Sequence, residues 1–194
     1  MNLNLKIIYD VTCKGRRIVL ASILDISLLP EAEKIYGPVS CGNKKRSAEK
    51  YSSKILAGQL YPGSTIEYGS GGEPVFNGCK EYREISVSHT SDTIAIIFSN
   101  ENTGIDIENS ERKIERAANR FLSPEERIIV GNDGLVAAWC AKEAFYKYLK
   151  GNGVTFLNEY TITSFSPHEI VIEHLGKRFS IAHTVIRDIT LAYI

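Results

Sequence analysis

GIDIE, residues 104–108, marks where the chain turns from one half to the other. Read as a strand, it alternates between two faces, so Ile105 and Ile107 point one way and Asp106 and Glu108 the other. Two strand candidates precede it, EISVSH (84–89) and TIAIIFS (93–99). The second is nearly all apolar, as a central strand would be. Helical patterns follow it.

Working outward, LKIIYDV (5–11) and RIVLASI (17–23) read as strands joined through Cys-Lys-Gly. Residues 44–58 read as a helix, with Ala48, Tyr51, Ser52, Ile55 and Leu56 at helical spacing and Gly58 as its end. Residues 61–79 are rich in glycine and read as loop, with a short strand at Ile66–Tyr68. Beyond GIDIE, IERAANRF (114–121) reads as helical. Ser123 caps the next helix, with Pro124 at its first position and Glu126 completing a capping box. LVAAWCAKEAFYKYLK (135–150) is the strongest helix, with Gly151 as its stop. The tail from residue 154 reads as short strands: EYTITSF, EIVIE, RFSIAH and DITLAYI. The expectation is an α+β fold of two similar α/β subdomains, a pseudo-dimer, with antiparallel sheets packed against helices. Its halves are residues 1–100 and 101–194.

The 194 residues are 43% hydrophobic, enough for a sizeable core. Lys plus Arg and Asp plus Glu number 23 each, which argues against a nucleic-acid binder. Cys13, Cys41, Cys79 and Cys140 form no C-x-x-C pair, so they read as buried thiols and not as a zinc site. The first residues lack the pattern of a signal peptide, and no apolar run approaches the roughly 18 residues of a membrane span. A soluble, cytoplasmic protein is expected.

On the long helix, Ala137, Ala141, Ala144, Phe145, Tyr148 and Leu149 share an apolar face, and Trp139 reads as core. Glu143 and Lys147 are an i, i+4 pair, readable as a solvated ion pair. Asp106 and Glu108 have two readings: the polar face of a half-exposed strand, or a seat for a hard cation such as Mg²⁺ with Glu143 as third carboxylate. His89 is either structural or, beside Thr90 and Ser91, a phosphate contact. Lys44, Lys45 and Arg46 are a solvated helix start or a phosphate clamp.

SVSHTSD (86–92), GIDIE (104–108) and WCAKEAFYK (139–147), in this order and spacing, resemble the signature of the 4'-phosphopantetheinyl transferases, with FLSPEE (121–126) matching a further segment. The length and two-part reading are similar to the longer, two-half (Sfp-like) form, a monomer. The resemblance implies transfer of the 4'-phosphopantetheine arm of coenzyme A to a serine of an apo acyl or peptidyl carrier protein, with adenosine 3',5'-bisphosphate leaving. It implies Mg²⁺ on Asp106, Glu108 and Glu143, with Glu143 instead, or also, as general base. Lys147 would face the pyrophosphate and Lys142 would help. Ser88 and His89 would hold the 3'-phosphate with Arg46 or Lys45, so the first half contributes to coenzyme A binding and the second carries the metal site and catalytic helix.

Two departures bear on this. Glu73, in GEPVF, stands where members often carry a phosphate-binding lysine, and Ser91 stands where they often have glycine. The carboxylates alone would also serve a metal-dependent phosphoesterase, and Glu73 would suit a non-catalytic homologue that binds coenzyme A or the carrier.

Overall fold

The computed structural model describes residues 3–39, 41–150 and 159–194. The chain divides into two compact units, residues 1–102 and 103–194. Both build antiparallel sheets packed against helices, which is the expected α+β class. No helix is long and apolar enough to cross a membrane.

In the first unit, β1 (Ile7–Cys13) and β2 (Arg16–Ser22) form a hairpin. Lys14 and Gly15 both take positive φ at its turn, the conformation a two-residue hairpin loop requires. A 3-10 turn (Ile26–Leu28) leads into α1 (Leu29–Tyr36). Helix α2 (Lys44–Leu60) follows, capped by Asn43, whose side chain accepts from the Arg46 N–H at 2.9 Å. Then come β3 (Thr65–Tyr68), β4 (Pro74–Asn77), β5 (Glu84–His89) and β6 (Thr93–Ser99). The main sheet has the order β1-β2-β6-β5, and β3-β4 is a separate hairpin. TIAIIFS is buried along its whole length between two partners, as its composition implies. Tyr51, Ile55, Leu56 and Ala57 of α2 pack with Ile66, Ile94, Ile96 and Phe98.

Three elements differ from expectation. Helix α1 was not foreseen: Leu29, Ala32 and Tyr36 do fall at i, i+3 and i+7 and pack toward the core, but over only eight residues, with Ala32 alone fully buried. Strand β4 hides in the glycine-rich stretch because its pairing, Ile66 opposite Phe76, comes from the hairpin and not from local pattern. Helix α2 continues through Gly58 to Leu60.

The second unit opens with β7 (Ile105–Asn109). IERAANRF forms a 3-10 helix (Glu115–Arg120) and not an α-helix. Helix α3 (Pro124–Val130) has the expected capping box, the Ser123 N–H donating to Glu126 Oε2 at 2.8 Å and the Glu126 N–H to Ser123 Oγ at 3.2 Å. Helix α4 (Leu135–Tyr148) is followed by β8 (Tyr160–Phe165), β9 (Glu169–His174), β10 (Lys177–Ile186) and β11 (Ile189–Tyr193). The Gly151 stop and the start of the strand-rich tail at 154–158 lie outside the described residues. The sheet order is β7-β11-β10-β9-β8, so β7 lies at an edge, paired with β11. Helix α4 crosses β7, β11 and β10 over a core that includes Phe121, Phe145, Tyr160, Ile172 and Ile181.

Gly104 sets how closely α4 approaches β7. A Cβ at that position would lie 1.9 Å from the Ala144 carbonyl oxygen and 2.9 Å from the Tyr148 nitrogen. The helix backbone therefore rests directly on the strand entrance, where the Gly104 N–H and carbonyl also pair with Ile194. Deeper in the unit, Glu126 serves three groups. Beyond its cap, its Oε1 accepts from the Ile162 N–H at 2.7 Å and from Lys142 Nζ at 2.6 Å. Lys142 is 0% exposed and also donates to the Tyr160 carbonyl at 3.4 Å.

Gly104→Ala must push α4 off the strand; we expect a loss of about 3 kcal/mol or more in urea unfolding. Glu126→Ala leaves the Lys142 charge buried and unpaired and should cost ~3–5 kcal/mol, much of it recovered in the Glu126→Leu/Lys142→Met double variant. A near-wild-type unfolding midpoint for Glu126→Ala would contradict the buried pair.

Candidate active site

Strand alternation along β7 holds. Ile105 and Ile107 are buried on one face, and Asp106 and Glu108 lie on the other, the face that α4 covers. Asp106 is only 7% exposed. A carboxylate so placed needs compensation, and α4 supplies it. Lys147 Nζ donates to Asp106 Oδ1 at 2.8 Å and to the Ile105 carbonyl at 2.9 Å. Glu108, two residues on and less buried, is ion-paired with Arg112. The Arg112 guanidinium also lies 5.6 Å from the centroid of the Trp139 ring, which packs edge-on against Phe121.

Glu143 belongs to the same charge cluster. Burial pushes its carboxyl above the ordinary glutamate range, and the Asp106 charge pushes it further, while Lys147 and Arg112 pull it back. Beneath it, burial raises the Cys140 thiol well above the usual cysteine value, with Asp106 and Glu108 adding to the effect. The Asp106, Glu143 and Lys147 side chains thus act on one another, and Arg112, which pulls on Glu143, also pairs with Glu108.

Lys142 does not join them. Its expected part at a ligand phosphate is corrected by its position: the side chain turns into the core to meet Glu126, and burial lowers its pKa from the usual lysine value. Among the described residues, no three acidic, histidine or cysteine side chains are gathered closely enough to enclose a metal ion. The donor chemistry of Asp106, Glu108 and Glu143 still fits a hard divalent cation, since all three offer carboxylate oxygen. Two of them are closed on internal cations in this conformation.

The first unit holds a second cluster. An open pocket of about 320 Å³ is lined by Arg46, Glu49, Lys50, Tyr68 and His89, among others. A neighbouring hollow of about 240 Å³ adds Asn43 and Lys45 at the start of α2. His89 Nε2 lies 3.2 Å from Glu49 Oε2. Lys50 Nζ sits 4.9 Å from the centroid of the Tyr68 ring. Lys45, Arg46 and His89, singled out from sequence, therefore meet. Ser88 does not meet them: it is buried and pairs opposite Ala95, on the sheet face away from Val87 and His89. Strand alternation alone would have separated Ser88 from His89. Glu49, Lys50 and Tyr68 were not foreseen; their only sequence signal is that Glu49 and Lys50 follow Arg46 at i+3 and i+4 on one helix. Glu73 is exposed at the β3–β4 turn, where its neighbours Gly72 and Pro74 line the pocket.

Residues 102–192 match the family model described as the 4'-phosphopantetheinyl transferase superfamily. The match spans β7, α4 and nearly all of the five-stranded sheet. No curated protein matches the chain.

The raised Glu143 carboxyl has a consequence for stability. Its folded pKa lies above its unfolded value, so its neutral form favours folding at low pH, and that contribution is lost as pH rises through the folded value. In metal-free buffer, Glu143→Gln should therefore leave Tm unchanged near pH ~4 and raise it at about pH 8. A Tm that falls at the higher pH would show that the Glu143 charge is stabilising.

Proposed function

From the match of residues 102–192 to the 4'-phosphopantetheinyl transferase superfamily, we propose that the chain moves the 4'-phosphopantetheine arm of coenzyme A to a serine of an apo carrier protein. The observation that carries this reading is the cluster on β7 and α4: Asp106 and Glu108 on one strand face, with Glu143 and Lys147 over them. Such a cluster suits a pyrophosphate, whose cleavage is governed by placement and charge compensation.

Asp106, Glu108 and Glu143 would hold Mg²⁺ through their carboxylate oxygens. When bound, the ion supplies neutralisation of the pyrophosphate and of charge developing on the leaving oxygen. Lys147, fixed by the Ile105 carbonyl, presents an ammonium beside Asp106 for a pyrophosphate oxygen. Instead of holding the ion, or besides it, Glu143 would take the proton of the attacking serine hydroxyl as general base. In that step the serine oxygen bonds to the β-phosphorus of coenzyme A, the β-phosphorus–oxygen bond to the adenosine side breaks, and adenosine 3',5'-bisphosphate leaves. In the first unit, Lys45, Arg46 and His89 offer cationic donors for a phosphate of coenzyme A, with Lys50 beside them.

With coenzyme A and Mg²⁺, the intact mass of an apo carrier should rise by one phosphopantetheine. Asp106→Ala and Glu143→Ala should each slow this by about 10²-fold or more, and Lys177→Ala, exposed on β10, should leave it unchanged. Wild-type rates in Asp106→Ala would refute the assignment of the cluster. Consumption of coenzyme A at the same rate without any carrier would make water the acceptor and the protein a phosphoesterase.

A further inference from the structure

We infer that Arg112 is an internal stand-in for the divalent cation, seated on Glu108 until the cation displaces it and held meanwhile against Trp139. The inference rests on the metal-site reading above. Asp106, Glu108 and Glu143 place up to three negative charges on one face, and two basic side chains answer them. Those two are held very differently. Lys147 is anchored: its ammonium bonds a backbone carbonyl as well as Asp106, and its side chain is 27% exposed. Arg112 is not: it pairs with Glu108 through a guanidinium whose side chain is 48% exposed, on the segment that follows β7. A cation entering at Glu108 therefore competes with Arg112, whereas Lys147 can remain in place.

The Trp139 ring makes the exchange inexpensive. The guanidinium already lies over its face, so on leaving Glu108 it keeps a favourable contact instead of being released wholly to solvent. In the cation-free protein, Arg112 relieves the repulsion between Glu108 and its neighbours. The same contact holds Glu108 toward Arg112, in keeping with a carboxylate set that is not yet gathered around a central point. Loading would then release Glu108 from Arg112 to join Asp106 and Glu143.

Trp139 is the chain's one tryptophan, so its emission reports on the guanidinium directly. Mg²⁺ would be titrated into wild type, Arg112→Gln and Arg112→Lys by calorimetry and by tryptophan fluorescence, without coenzyme A or carrier. Loss of a surface pair worth up to ~1 kcal/mol predicts Mg²⁺ binding roughly fivefold tighter in Arg112→Gln, with Arg112→Lys in between. The wild-type emission should change along the calorimetric isotherm, and that change should be absent from Arg112→Gln. Equal or weaker binding in Arg112→Gln, or a wild-type emission change in that variant, overturns the inference and leaves the metal site standing. No Mg²⁺ binding in any of the three overturns both.

Discussion

Everything at the carboxylate cluster depends on one backbone contact, α4 against the residue that opens β7. With no side chain on Gly104, the Ala144 carbonyl comes down to the strand entrance. That closeness fixes the height of the helix over the sheet. Lys147 can then span from α4 to the Ile105 carbonyl, and the charges of Glu143 and Asp106 come within reach of each other. A helix seated one carbon atom higher would leave two carboxylates on a strand and an unrelated ion pair on a helix. The glycine contributes no chemistry of its own, yet it converts two sequence segments into one site.

The second unit handles its charge in two ways. Glu126 and Lys142 form a pair sealed in the core, bonded also to the backbone of Ile162 and Tyr160, and they tie α3, α4 and β8 together. Asp106 and Glu108 are instead paired with Lys147 and Arg112 beside the raised carboxyl of Glu143, toward the outside of the same helix. The first arrangement stabilises the scaffold, and the second stores electrostatic cost where a ligand can relieve it. Two adjacent residues of α4, Lys142 and Glu143, face these opposite ends: one is spent on structure and its neighbour is kept available.

Much of this was legible from the chain, and what was not has local causes. The two-residue alternation of β7 placed Asp106 and Glu108 on one face, and β5 and β6 emerged at their expected ends. Ser123 and Glu126 announced their cap. The second role of Glu126 was hidden, because its partners Lys142 and Ile162 arrive from other elements. Without that partner visible, Lys142 read as a helper of Lys147 at the pyrophosphate. Helix α1 offers only two turns of apolar spacing, Leu29, Ala32 and Tyr36, and strand β4 is ordered by its hairpin and not by local pattern. The pocket of the first unit was half legible: Lys45 and Arg46 lie in an obvious basic run and Glu49 follows on the same helix, but Tyr68 joins them only through the packing of α2 with β3.

The pairing of β7 with β11 carries a consequence for how the protein is made. Ile105 lies opposite Tyr193 and Asn109 opposite Ile189, so the strand bearing Asp106 and Glu108 gains its sheet partner from a segment roughly 80–90 residues later. The strand emerges from the ribosome long before the segment that holds it flat. Until β11 docks, the acidic strand has no sheet edge to join, and α4 has only part of its platform. Closure of the second unit is thus a late, non-local event in folding, and the carboxylate cluster takes shape only when it happens. A nascent chain stalled short of β11 would carry every residue of the cluster and still lack the geometry.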